Sequence, residues 1–143
     1  LEDGKIIAGG GAPEIELSIR LKERAKALTG KEQLAVIKYA EAFEIIPSVL
    51  AETAGLSSLD SMVKLRSLHM EGKTNYGIDV LKGELADMVD KKIIDPTKVK
   101  AQIIKSATEA AIMILRIDDV IAAAAPPPAP PQQGPGGMGG EEY

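Results

Sequence analysis

The sequence predicts a mainly α fold with short β-strands at its edge. Apolar residues recur at three- and four-residue spacing over most of the chain, the period of a helix with one buried face. Helix starts and stops punctuate that pattern at Pro13, Thr29-Gly30, Gly55, Ser57, Gly72 and Asp95-Pro96. Hydrophobic residues make up 45% of the 143 residues but aromatics only 3%, so the core must be built from Ile, Leu, Val, Ala and Met.

The elements follow in order. Ile6-Ile7 is a short apolar segment that ends at Gly9-Gly10-Gly11. Pro13 suits the first turn of a helix, where its missing N–H costs nothing, and Glu14 and Glu16 favour the same turn through the helix dipole. Ile15, Ile19, Leu21, Ala25 and Leu28 carry the helical spacing until Thr29-Gly30 stops it. Thr29 with Glu32 fits a capping box for a second helix, whose Leu34, Ile37, Glu41 and Ile45 share a side. Pro47 is expected to bend or break it, leaving a shorter helix from Pro47 to Ala54. Ser57 with Asp60 opens a further helix that fades near Gly72.

The stretch "NYGIDVLKGE" reads as a hairpin closing at Lys82-Gly83, followed by a brief helix over Leu85 to Lys91. Asp95 as N-cap and Pro96 as first helical residue open the longest helix, striped by Val99, Ile103, Ala107, Ala110 and Ile114. "RIDDVI", Arg116 to Ile121, reads as a short strand. From Ala122 the chain has no Lys or Arg and is dense in Pro and Gly, a composition expected to stay disordered.

Composition also bounds function. The formal net charge is −4 with no basic run, and the few aromatics offer no stacking platform, so nucleic acid is not an expected partner. Cysteine is absent, which excludes disulfides, thiolate metal sites and cysteine nucleophiles and is compatible with a reducing cytoplasm. No apolar run approaches the ~20 residues that span a bilayer, so no membrane is expected. No signal peptide is visible, and the chain opens at Leu1 directly into "LEDGKII", as if partway through a larger protein.

Several residues invite a chemical reading. Gly9-Gly10-Gly11 before a helix offers bare backbone N–H groups to an anion. No Lys-Ser or Lys-Thr follows, so this is not a Walker-type loop, and Glu14 and Glu16 would repel a triphosphate there. A tight turn or a close backbone crossing explains the same glycines. Asp79 and Asp95, both at element boundaries, are placed to accept hydrogen bonds from sugar hydroxyls; an exposed strand position and an N-cap are the structural alternatives. Asp118-Asp119 fits a solvated strand end better than a metal site, and no metal site is expected. His69 is the sole histidine, expected at a surface or boundary, and no nucleophile–base pair or catalytic residue emerges.

The segments "AGGGAPEIELSIRL", "IIPSVLAETAGL", "NYGIDVLKGELADM", "IIDPTKVKAQIIKSATEAAIMILRIDDVI" and a terminal "GGMGG" occur in that order. Together they resemble the C-terminal part of a group II chaperonin subunit of the archaeal thermosome type, over essentially all of residues 1–122. The resemblance implies an ATP-driven cytoplasmic double ring that encloses and folds non-native proteins, with other chaperonin subunits and unfolded clients as partners. It assigns residues 1–12 to the hinge from the intermediate domain, 13–122 to the C-terminal half of the equatorial ATP-binding domain, and 123–143 to a tail in the central cavity.

The resemblance also implies site residues. Gly9, Gly10 and Gly11 match a nucleotide contact near the ribose and adenine, with Gly10 the best single choice. Gly77 and Asp79 in "YGIDV" match a loop over the nucleoside, and Asp95 in "IIDPTKV" matches an acid that binds ribose hydroxyls. Lys100 sits where many relatives have a basic residue near the nucleotide. Arg116, Ile117, Asp118, Asp119, Val120 and Ile121 match a strand shared with the neighbouring subunit. The ligand implied is ATP or ADP with Mg²⁺, but the phosphate-binding GDGTT-type loop and the acid that positions the attacking water are not in these residues. The resemblance places both upstream of Leu1, so no ATP hydrolysis is expected of these 143 residues alone. A helical structural or interaction module without nucleotide binding is the alternative.

Overall fold

The computed structural model describes residues 4–123. The described elements run β1 (Ile6–Ala8), α1 (Ala12–Ala25), α2 (Gly30–Thr53), α3 (Ser58–Met70), β2 (Tyr76–Asp79), β3 (Glu84–Asp87), β4 (Ile94–Pro96) and α4 (Thr97–Ala123). They fall into two compact units that divide between Ile104 and Lys105, inside α4. The mainly α class with short edge strands is therefore the observed one.

In the first unit, α1, α2 and α3 pack on one another and on the hairpin β2–β3. Their core is aliphatic, as the composition requires: Ile15 of α1, Ala51 of α2, Met62 and Leu65 of α3 and Ile78 of β2 form one buried cluster. A smaller cluster of Ala8, Ala12 and Met88 lies beneath the glycine turn. Both sheets are two-stranded and antiparallel. Tyr76 pairs with Asp87 and Asp79 with Glu84 in one, while Ile7 pairs with Asp95 in the other.

A polar knot ties the three helices. Glu44 of α2 accepts from Ser18 Oγ and Lys22 Nζ of α1, both at 2.7 Å, and from Arg66 of α3. Burial pushes the Glu44 carboxyl up, but the hydrogen bonds from Arg66, Lys22 and Ser18 outweigh it and hold it below its ordinary value. A second link joins α1 to α3: His69 Nδ1 lies 3.0 Å from Glu16 Oε2, and its Nε2 lies 2.8 Å from the Tyr76 carbonyl. Both ring nitrogens thus have an oxygen partner, one on α1 and one on β2. His69 is buried, not at the surface or boundary expected of it.

Several expectations of local structure are corrected. Pro47 neither ends nor splits α2, which runs unbroken from Gly30 to Thr53. Its ring is fully buried against the glycine turn, so tertiary packing compensates for the lost backbone donor. Thr29 stands at the N-cap of α2, but its side chain makes no capping hydrogen bond, so the box with Glu32 does not form. Ser57 does cap α3, accepting from the Asp60 N–H.

No helix covers Leu85 to Lys91. Leu85 pairs in β3, and Asp87 Oδ1 then accepts from the N–H groups of Val89 and Asp90, folding the chain into a turn that closes at Lys92 with φ 59°. Asp95 and Pro96 belong to β4 and not to the helix, which begins at Thr97.

Arg116–Ile121 is helical, as the end of α4, and not a strand. A lone strand would leave its N–H and C=O groups unpaired, whereas continuing "ATEAAIMIL" as a helix pairs them internally. The tail assigned to 123–143 lies, beyond Ala123, outside the described residues. Many large apolar side chains are exposed, including Leu34 and Ile45 of α2 and Val99, Ile103 and Ile114 of α4, so those expected stripes are not core in this chain. No described helix is long and apolar enough to cross a membrane.

Candidate functional site

Each of the three glycines at the head of α1 is bare for its own reason. Gly9 donates its N–H to the Ile93 carbonyl at 2.9 Å, and this close approach would put a Cβ on Gly9 3.1 Å from both that oxygen and the Ile93 side chain. Gly10 has φ +61°, and a Cβ there would stand 2.8 Å from the Ile78 carbonyl oxygen and 2.9 Å from its nitrogen. Gly11 has φ +79°, and its Cβ would stand 2.7 Å from Cβ of Pro47. The turn is thus a three-way crossing of β2, α2 and the β4 approach, closed to any side chain.

That crossing assembles a cleft of about 380 Å³. Gly10, Gly11, Asp79, Asp95 and Lys100 line it, drawn from three stretches of chain: the glycine turn, the end of β2 and the junction of β4 with α4. Ile46, Leu50, Val80, Leu81 and Ile93 supply an apolar wall, and Leu81 is 96% exposed beside it. Gly9 and Gly77 stand behind the wall: a Cβ on Gly77 would meet the carbonyl oxygens of Gly10 and Gly9 at 2.7 and 2.9 Å. Among the nucleotide residues expected from sequence, the structure therefore brings five to one cleft and puts two in its support.

The polar side chains differ in how much of each is free to act. Asp79 is buried at the end of β2, and its Oδ1 accepts from the N–H groups of Leu81 and Lys82 at 3.1 and 3.2 Å. It shapes the hairpin turn that carries Val80 and Leu81 to the cleft. Asp95 sits in β4 opposite Ile7 with its side chain 44% exposed, and its Oδ2 lies 3.2 Å from Lys100 Nζ. Lys100, one turn into α4, also reaches Glu14 Oε1 at 2.9 Å. Burial pushes the Lys100 ammonium down, but the hydrogen bonds and charges of Glu14 and Asp95 prevail and raise it above its ordinary range.

Glu14 is the residue that sequence reading missed as part of the site. Its place in the first turn of α1 looks like a response to the helix dipole, yet it is only 1% exposed and its Oε2 is buried without a hydrogen-bond partner. No local signal pointed to its partner, because Lys100 lies far along the chain. The apolar wall from Ile46 and Leu50 was equally hidden, since it depends on α2 continuing through Pro47. The side chains of Asp118 and Asp119 lie outside the described structure.

With its acceptors outnumbering its cations, the cleft suits a ligand that presents hydroxyl donors and an apolar face. A polyanion placed against Asp79, Asp95 and Glu14 meets net repulsion that Lys100 alone does not offset.

Comparison with known proteins bears on the whole chain. It is 53% identical over 144 aligned residues to a thermosome subunit of Methanocaldococcus jannaschii, covering all of this chain and 27% of that protein. It is 61% identical over 120 residues to a thermosome subunit of Pyrococcus horikoshii, covering 84% of this chain and 22% of that one. The chain thus spans about a quarter of the length of these relatives. The open-state monomer of a group II chaperonin from Methanococcoides burtonii superposes with a TM-score of 0.77 at 54% identity, covering 80% of this chain and 28% of that one. The family model of the TCP-1/cpn60 chaperonins matches residues 1–125, and the chain belongs to that family.

Proposed function

We propose that this chain is part of an ATP-dependent group II chaperonin subunit, working in the cytoplasm in a double ring with other subunits to fold non-native proteins. Within it, the cleft takes the ribose and adenine side of ATP or ADP. The observation that carries this reading is the convergence on one cleft of Gly10, Asp79 and the Asp95–Lys100 stretch, three parts of the chain that are separate in sequence.

Asp95 accepts from ribose hydroxyls, the apolar wall of Ile46, Leu50 and Val80 receives the base, and Leu81 closes over it. The backbone at Gly10 and Gly11 lets the sugar approach without a side chain between. The nucleotide supplies the energy of phosphoryl transfer, and its phosphates and Mg²⁺ call for ligands beyond those in this cleft. That division agrees with the negative balance of charge here.

A test is amide hydrogen exchange in the complete subunit with and without ADP. Protection is expected at Val80–Lys82 and around Gly10–Gly11. Unchanged exchange at both places would remove the nucleotide reading. It would favour a helical structural or interaction module, the second reading, which has its own support: packing against Ile78 and Pro47 accounts for the bare glycines without any ligand.

A further inference from the structure

Glu14 does not line the cleft, yet it is tied to it. A buried carboxylate is costly unless paired and hydrogen-bonded. Glu14 is buried with one oxygen on Lys100 and the other without a partner. Lys100 in turn is shared, 2.9 Å from Glu14 and 3.2 Å from Asp95, so a chain of contacts ties buried Glu14 to the two cleft residues. Packing alone does not explain an acid at this place, where an apolar residue would bury at no such cost.

We propose that Glu14 is a positioning residue for the hydroxyl-bearing end of the ligand, an inference that rests on the nucleotide reading above. Glu14 shares the Lys100 ammonium with Asp95 and keeps it from settling fully on that carboxylate. Lys100 therefore engages Asp95 through Oδ2 and leaves Oδ1 to accept from a vicinal diol. Without the charge of Glu14, Lys100 has Asp95 as its sole anion in this chain of contacts and swings onto both oxygens, consuming the acceptors that read the ligand. Without Lys100, Asp95 loses its anchor and faces the uncompensated charge of Glu14.

The test compares ADP with 2′,3′-dideoxy-ADP, which keeps the base and phosphates and lacks both hydroxyls, by equilibrium titration of the complete assembled subunit. The unaltered protein is expected to favour ADP by about tenfold, the scale of one hydrogen bond to a charged group. Glu14→Gln and Lys100→Met are each expected to bring that ratio below about threefold while dideoxy-ADP affinity stays within about twofold, and Lys100→Arg to retain most of it. Assembly of each variant is checked first, and Lys100→Met, which leaves Glu14 in place, decides if Glu14→Gln does not assemble.

Equal weakening of both nucleotides makes Glu14 merely structural and overturns the proposal. So does an undiminished ratio in Glu14→Gln and Lys100→Met when Asp95→Asn abolishes it, which leaves the nucleotide reading standing. A ratio near one in the unaltered protein, or one that Asp95→Asn does not change, overturns the hydroxyl contact of Asp95 and this inference with it, whereas absence of measurable binding by either nucleotide removes the nucleotide reading itself.

Discussion

Gly77 stands so close to Gly10 that a Cβ on it would lie 2.7 Å from the Gly10 carbonyl oxygen. The same carbonyl accepts the Ile78 N–H at 2.8 Å, so strand β2 is fastened to the glycine turn at two successive residues. This contact carries Asp79 and the hairpin turn to the cleft. Met88 lies beneath it and leaves the backbone no room to retreat.

Gly77→Ala is therefore expected to destabilise the chain by about 2 kcal/mol or more, the cost of forcing atoms into a filled core. Urea denaturation measures it through the midpoint. A midpoint within error of the unaltered chain would show that β2 can lift away from the turn. Gly10→Val would fail for the same reason, against the Ile78 backbone, so loss of nucleotide binding in that variant does not report on the ligand.

The Glu44 knot sets an acid limit on stability. Its carboxyl, and that of Glu16, are held below the ordinary value near 4.5, Glu16 because the hydrogen bonds from His69 and Arg20 outweigh the opposing push of burial. A carboxylate lowered in the folded state stabilises it fully above the unfolded value. That contribution is lost as pH falls through the folded one. Stability should accordingly rise with pH across the region just below 4.5. Glu44→Gln should flatten that rise and cost about 1–2 kcal/mol at neutral pH, discounted because Lys22 and Arg66 are partly exposed. Denaturant titrations at several pH values give both numbers, and an unaltered pH slope in Glu44→Gln would assign the effect elsewhere.

What could be read in the sequence was local. Ser57 with Asp60, the hairpin at Lys82-Gly83 and the helix opened by Pro13 are all set by residues within a few positions, and all stand in the structure. The errors came where distant packing overrides a local signal. Pro47 reads as a break and is a core residue, because Gly11 makes room for its ring. Asp95-Pro96 reads as a helix start and is a strand, because Ile7 and Ile6 pair with it. His69 reads as a surface or boundary group and Glu14 as a first-turn acid answering the helix dipole, and both are buried on partners from other elements. Arg116–Ile121 reads as a short strand, but a strand needs a neighbour, and the chain alone resolves it as helix. For the cleft, residue types and positions at Gly10, Asp79, Asp95 and Lys100 were legible through family resemblance, whereas the charge relay to Glu14 exists only in three dimensions.

The isolated 143 residues are expected to show no ATP hydrolysis above background. Phosphoryl transfer needs phosphate ligands, a metal site and a positioned water, and the cleft presents one lysine already shared between two carboxylates. A phosphate-release assay on contaminant-free protein checks this. Sustained release that follows the purified chain through gel filtration would overturn it.

Asp95 offers a cleaner probe of nucleotide binding than Asp79. Asp79 Oδ1 already caps the hairpin turn, so its removal would weaken the fold and the ligand contact together. The Asp95 side chain is about half exposed, and among the described residues it pairs with Lys100. In the complete subunit, Asp95→Ala should therefore weaken ADP binding by about 1–3 kcal/mol, roughly tenfold to a hundredfold in Kd, with little loss of stability. Calorimetric titration reads the affinity, and thermal denaturation of the same sample reads the fold. Unchanged affinity in a stably assembled variant would leave the acid at the end of β4 as a partner for Lys100 and nothing more.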